Sequence, residues 1–202
     1  MPTPDKSRRT ARDHLASPPQ ILLPLPTRTL TLTSAWGLFS AKSIDEGTAL
    51  LLNEVQALDS PKNALDLGCG YGPIGLTLAG LWPQAQVTCV DKDLLAVETT
   101  RANIAHNQLT NATVVLSPGL RDVPADHYDL ICSNLPAQAG NEALDELLLD
   151  AYDHLSPGGS LVVVVVSGLG QYIKRRLTDL FGNYNKAKQG SRHLVAEAIR
   201  EP

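Results

Sequence analysis

Through residues 63–182, short apolar runs alternate with longer stretches in which apolar side chains recur every three or four positions. Ala64–Leu67, Gln86–Val90, Ala112–Leu116 and Tyr128–Ser133 read as strands, and Leu161–Val166 is an unbroken apolar run suited to a strand covered on both faces. Pro73 presets a first helical turn, and Ile74, Leu76 and Leu78 carry that helix to Leu81. Leu94–Asn107 and Gly168–Phe181 predict further helices, and Asp45 is placed to cap one that runs to about Leu58. Glu142–Leu155 sets Leu144, Leu147, Leu148, Ala151 and Leu155 on one stripe and should stop at Pro157-Gly158-Gly159. Tyr184–Lys188 and His193–Ile199 predict a closing hairpin whose last strand inserts antiparallel. Such alternation dictates an α/β fold with a doubly wound, mostly parallel seven-stranded sheet and right-handed crossovers. Upstream, Ile21–Leu25 contains Pro24 and is followed by Pro26, which demotes it to an edge or irregular segment, while Thr29–Thr33 alternates Thr with Leu as a half-buried strand does. Residues 1–20 read as a flexible basic arm and residues 21–202 as one domain, with 21–46 an N-terminal β extension.

The chemistry concentrates where the first strand of this alternation ends. Gly68, Gly70 and Gly72 permit positive φ and close approach of backbone to a ligand, and Gly70–Gly75 spells G-x-G-x-x-G in strand-loop-helix context. That pattern ordinarily holds a pyrophosphate on the helix N-terminus, as an NAD-dependent oxidoreductase would use it. Asp66 beside the loop would repel a phosphate and attract a ligand bearing an ammonium and a sulfonium instead. S-adenosylmethionine fits that description. Asp91, about twenty residues on at the next strand tip, can take both ribose hydroxyls, although it would also begin the following helix.

Asp66, Gly68 and Gly70 resemble the first motif of the class I S-adenosylmethionine-dependent methyltransferases. Phe39-Ser40 and Asp45, Gly47 and Thr48 narrow the likeness to the small-domain (MTS) family that includes the ribosomal RNA guanine-N2 enzymes. The resemblance implies a Rossmann-like sheet and a cofactor site drawn from Phe39, Asp66, Gly68, Cys69, Gly70, Asp91, Lys92, Ser117, Gly119, Leu120 and Asn134. Many relatives read the adenine amino group with an acid where this chain has Pro118, so Ser117, a backbone carbonyl or Asp122 would serve it, with the amides of Gly119 and Leu120 on the ring nitrogens. Asn134-Leu135-Pro136-Ala137 stands where amino-methylating members have Asn/Asp-Pro-Pro followed by an aromatic. By resemblance, Asn134, Leu135 and Pro136 form the catalytic turn, the Asn134 side chain and the next carbonyl accepting from the target amine. Leu135 replaces a proline and Ala137 replaces the ring, so stacking of a base, worth about 1–3 kcal/mol, would fall to Phe39, Tyr71 or Trp36.

Composition narrows the class without choosing the substrate. A chain of 202 residues with 43% hydrophobic and 19% charged residues suits one globular domain, and neither a membrane-spanning run nor a secretory signal is evident, so cytoplasm is the default. Cys69, Cys89 and Cys132 are spaced for neither a metal site nor a disulfide framework and read as reduced core residues. His14, His106, His127, His154 and His193 lack metal-ligand spacing, and His106 and His154 suit helix C-termini. The net charge of −4 divides unevenly, +3 over residues 1–28, −11 over 29–169 and +4 over 170–202. Lys6, Arg8, Arg9 and Arg12 form a candidate RNA-contacting arm, and Lys174, Arg175, Arg176, Lys186, Lys188 and Arg192 a basic C-terminal face. Two-domain members of the family carry an additional N-terminal domain that a sequence this short is expected to lack, which would leave RNA to that arm and face. Three readings stay open beside the base methyltransferase: one acting on a small molecule or protein, a catalytically silent RNA-binding or partner-regulating module, and the oxidoreductase that Asp66 opposes.

Overall fold

The computed structural model describes residues 20–123 and 127–201. Lys6, Arg8, Arg9, Arg12 and His14 of the expected arm lie outside these. Ile21–Pro24 (β1) and Thr29–Leu32 (β2) pair antiparallel as a separate hairpin, with Pro24 against Thr29 at the turn end. Glu46–Val55 (α1) follows, and then strands and helices alternate: Asn63–Leu67 (β3), Pro73–Leu81 (α2), Gln86–Asp91 (β4), Leu94–His106 (α3), Ala112–Leu116 (β5), Tyr128–Asn134 (β6), Asn141–His154 (α4), Leu155–Val166 (β7), Gly170–Phe181 (α5), Asn185–Gln189 (β8) and His193–Ile199 (β9).

The seven strands lie in the order β5-β4-β3-β6-β7-β9-β8. The pairings from β5 through β7 are parallel, and β9 enters antiparallel between β7 and β8. Side chains alternate across a strand, so the apolar run in β7 serves two layers at once. Val162 and Val164 join Ala64, Val87, Cys89 and Cys132 under α1, α2 and the hairpin. Leu161, Val163 and Val165 join Leu65, Leu67 and Ile131 against Leu144 and Leu148 of α4 and Ile173 and Leu177 of α5.

The hairpin is fastened by two side-chain amides. Asn103 accepts from the Thr33 amide and donates to its carbonyl, at 2.9 and 2.8 Å, and Asn107 does the same to Thr31, at 2.9 Å in both directions. One turn of helix advances about as far as two strand residues, so α3 stands in for a neighbouring strand.

Three boundaries differ from the sequence reading by more than a single end residue. The first helix ends at Val55, and Ala57 and Leu58 close it with turns onto Glu54 and Val55. Gly158 and Gly159 exchange backbone hydrogen bonds with Arg200, so β7 starts at Leu155 and runs through the glycine pair, six residues before the Leu161 start that the sequence predicts. Ser167–Leu169 is a 3-10 turn leading into α5. Within the described residues, no helix is long and apolar enough to cross a membrane.

Candidate active site

Asp66, Asp91, Ser117 and Asn134 come to the carboxyl ends of β3, β4, β5 and β6 or just past them, four adjacent strands in the sheet. Strand order reverses between β3 and β6, and crevices at such a reversal are where ligands of parallel α/β sheets bind.

The loop from Gly68 to Gly72 is tied down on its protein side. The amides of Gly68 and Cys69 both donate to the Val90 carbonyl at 2.9 Å, and Thr100 Oγ1 donates to the Gly70 carbonyl at 2.8 Å. Gly68 and Gly70 have φ of 78° and 57°, and a Cβ added to either would meet no atom within 4 Å. Those two glycines border open space that a side chain would fill. Gly75 is small for a different reason: a Cβ there would collide with Cys89 Sγ and press on Asp66, so this glycine lets α2 sit against the sheet.

The two acids do different work. Asp66 is fully buried against the start of α2, its Oδ2 accepting from the Gly75 amide at 2.7 Å and its Oδ1 without a hydrogen-bond partner. Burial pushes its pKa up to about 7, against the pull of the Gly75 amide and with a smaller push from Asp91. Asp91 is half-buried and accepts from Gly70 at 2.8 Å and from Asp93 at 3.0 Å, one amide per oxygen. A carboxylate oxygen accepts more than one hydrogen bond, so both retain capacity for hydroxyl donors. Lys92, next in the chain, is exposed.

Cys69 is buried in the loop with Sγ 3.7 Å from Thr100 Oγ1, and the neighbouring Cys89 thiol is pushed up by its hydrogen bond to Cys69 and by burial. All three cysteines are free and buried, in keeping with core roles.

Beyond β5 the adenine-side expectations fare unevenly. Ser117 is buried, and its hydroxyl accepts from the Asp122 amide at 3.0 Å. The Leu120 amide donates to Asp150 Oδ2 at 3.0 Å and its side chain is in the core, so that amide is already engaged. Gly119 has φ of 63°, and the same carboxylate occupies the place of its missing Cβ.

The segment between β2 and α1 spans the carboxyl ends of β3 and β4. Gly37 faces Leu95 at the start of α3, and Tyr71 Oη donates to the Ser43 carbonyl at 3.3 Å. Phe39 on this segment is 73% exposed and Trp36 is 42% exposed with Lys42 over its ring, whereas Tyr71 is only 3% exposed. Tyr71 is therefore a core residue and no stacking surface. Its hydroxyl is pushed up to about 12 by burial and by Asp45.

Asp45 caps α1 as expected, accepting from the Gly47 and Thr48 amides at 2.8 and 3.0 Å. Sequence reasoning missed its second partner. Asn134 Nδ2 donates to Asp45 Oδ2 at 2.9 Å and to Thr48 Oγ1 at 3.0 Å. Leu135 follows with its side chain in the core and its amide on the Val164 carbonyl at 3.0 Å, and Pro136 and Ala137 are exposed. His193 packs its ring against Gly47, with Nδ1 buried and unpartnered, and His154 bonds the Asp150 carbonyl near the end of α4.

The basic C-terminal face is partly neutralised. Arg176 pairs with Asp145 at 2.7 Å, Arg192 with Glu46 at 2.8 Å and Lys188 with Glu54 at 3.9 Å.

Comparison with known proteins agrees with this geometry. The family described as the methyltransferase small domain matches residues 29–197. Ribosomal RNA small subunit methyltransferase C of Pseudomonas entomophila is 38% identical over 151 residues, 73% of this chain and 45% of that protein. YbxB of Bacillus subtilis, described as uncharacterised, is 29% identical over 176 residues, 86% of this chain and 88% of that one. Among solved structures, the Thermus thermophilus 16S rRNA N2 G1207 methyltransferase, in complex with AdoMet and guanosine, superposes with a TM-score of 0.82 at 24% identity, covering 92% of this chain and 51% of that one. This chain thus spans about half the length of the curated ribosomal RNA methyltransferases it matches. With the family match extending over most of the sequence and the fold and the glycine cradle in place, the chain belongs to the methyltransferase small domain family.

Proposed function

We propose that this chain is an S-adenosylmethionine-dependent methyltransferase acting on an exocyclic amino group of a nucleic-acid base, with guanine N2 in ribosomal RNA the best-supported target. The observation that carries the reading is the pairing, on one crevice, of an open glycine cradle flanked by carboxylates with an asparagine whose nitrogen is already engaged. When bound, S-adenosylmethionine supplies an electrophilic methyl group on a sulfonium. Gly68 and Gly70 would accommodate its methionine end, Asp91 would accept from the ribose hydroxyls, and Asp66 would act from beneath the loop through its charge. Asn134 Oδ1 and the Leu135 carbonyl would accept from the two N–H groups of an amine, leaving its lone pair directed at the reacting carbon. The names of the relatives, which act on ribosomal RNA, support a base as acceptor.

With Ala137 in place of a ring and Tyr71 buried, stacking would come from Phe39 or Trp36, the exposed rings on the segment above the strand tips. Lys174, Arg175 and Lys186, with the basic arm, would contact phosphates.

Calorimetry with S-adenosylmethionine and its demethylated product, followed by turnover on ribosomal RNA from cells lacking the protein, tests this reading. Asn134→Ala should lower kcat about 100-fold with cofactor affinity retained. Absence of cofactor binding by the wild type would overturn the enzyme. Binding without turnover of RNA, in wild type and variant alike, would favour the silent module to which Leu135 and Ala137 point. Methylated metabolites or proteins in place of RNA would move the acceptor to the other class.

A further inference from the structure

We infer that Asp45, assisted by Thr48, is a positioning residue for methyl transfer: it fixes the Asn134 side chain so that only the carbonyl oxygen is presented to the acceptor. The inference rests on the methyltransferase reading and adds to it a residue pair and a rule for the acceptor's chemistry.

A carboxylate accepts hydrogen bonds and cannot donate them, so the atom of Asn134 that faces Asp45 Oδ2 at 2.9 Å must be its nitrogen. The second amide proton goes to Thr48 Oγ1 at 3.0 Å. Both protons are thereby spent inside the protein, and Oδ1 is the one polar atom of the side chain left for a substrate. An asparagine without this arrangement could turn its amide over and offer a donor with equal ease.

Asp45 itself is held rigidly, since its two oxygens also receive the first amides of α1, from Gly47 and Thr48. Thr48 is buried, and Gly47 is backed by the His193 ring, where a Cβ would come within 2.9 Å of Cδ2. The N-terminus of α1 is therefore a fixed mount, set by β9 on one side and reaching the tip of β6 on the other. The consequence is selective. A nitrogen that carries hydrogens can bond to Asn134 Oδ1, whereas a ring nitrogen with only a lone pair meets a second acceptor and is refused. Exocyclic amines fit and unprotonated ring nitrogens do not.

A helix cap alone would explain part of Asp45, so the test keeps the cap. Asp45→Ser retains an N-cap residue of comparable quality while removing the acceptor that reaches Asn134. Solvent exchange of the Asn134 side-chain amide, read by NMR, needs no acceptor: in the wild type it should be slower than at the exposed Asn53 and Asn141, and in Asp45→Ser it should rise toward theirs, with only the Thr48 hydrogen bond left. On ribosomal RNA, Asp45→Ser should lower kcat by up to about 100-fold with KM for S-adenosylmethionine and Tm little changed. Asn134→Asp sets two carboxylates against each other and should be similarly impaired. Wild-type Asn134 exchanging as freely as Asn53, or an unchanged kcat in Asp45→Ser, would overturn the positioning role. An inert wild type with a protected Asn134 amide would instead count against RNA as the acceptor while upholding the orientation.

Discussion

Asp66 keeps one buried oxygen without a partner, while the other accepts from Gly75 in the first turn of α2. Its folded-state pKa of about 7 stands above the ordinary 3.8, so as pH rises the unfolded chain loses the proton first. Between those values the native state binds more protons than the unfolded one, and stability falls as pH rises through about 7. Asp66→Asn should remove that fall, which urea denaturation at about pH 5 and about pH 8 would reveal as a flatter profile. Should the slope persist in Asp66→Asn, another group is titrating. A nearby bound cation favours the charged carboxylate, so binding of S-adenosylmethionine near pH 7, about where Asp66 is half protonated, should release protons into the buffer. Calorimetry in two buffers of different ionisation enthalpy measures that release, and the Asn variant should abolish it.

At the scale of elements, the least expected feature is a helix acting as a strand partner. Asn103 on α3 and Asn107 at its C-cap are both buried, and each satisfies a backbone amide and a carbonyl of the segment Thr31–Thr33. Thr31 is half-buried and Thr33 exposed, so replacing either asparagine with Ala should cost about 0.5–1.5 kcal/mol for each hydrogen bond lost. Denaturation should show that loss in Asn103→Ala and Asn107→Ala, and hydrogen exchange should show Thr31 and Thr33 deprotected first. Equal protection in variant and wild type would mean that apolar packing of Leu30 and Leu32 is sufficient to hold the hairpin. The sequence did expose the Thr-Leu alternation of β2, and so the existence of the strand. It did not expose the partner, because two asparagines at i and i+4 in a helix carry no mark of what lies across from them. The glycine pair Gly158-Gly159 misled for a related reason: glycine permits a turn, but Arg200 supplies ladder hydrogen bonds that keep it in the strand.

For the molecule as a whole, charge is arranged by surface more than by total. Arg176, Lys188 and Arg192 face acidic partners, and exposed pairs of that kind contribute little to stability but remove cations from a prospective RNA surface. Lys174 lies over the Tyr184 ring at 6.0 Å, and Lys186 stands on the outermost strand β8. If the basic face touches phosphate, Lys174→Glu with Lys186→Glu should weaken RNA binding and lower the salt slope by about 1 for each phosphate no longer neutralised, with S-adenosylmethionine affinity unchanged. Unaltered RNA binding would recast Lys186 as a guard against edge-to-edge pairing of β8.

What the chain determined by itself is the local physics: periodicity marked the strands and helices, glycines marked the cradle, and Asp66, Asp91 and Asn134 marked three strand tips. These signals survive in one dimension because each depends on residues within a few positions of one another. Only the tertiary structure decided which groups were spent. It buried Tyr71 and Asp66, gave the Leu120 amide to Asp150, and placed Asp45 against Asn134 across 89 positions of sequence. Hydrogen-bond capacity is divided among whatever the fold brings within reach, and neither composition nor spacing records that division.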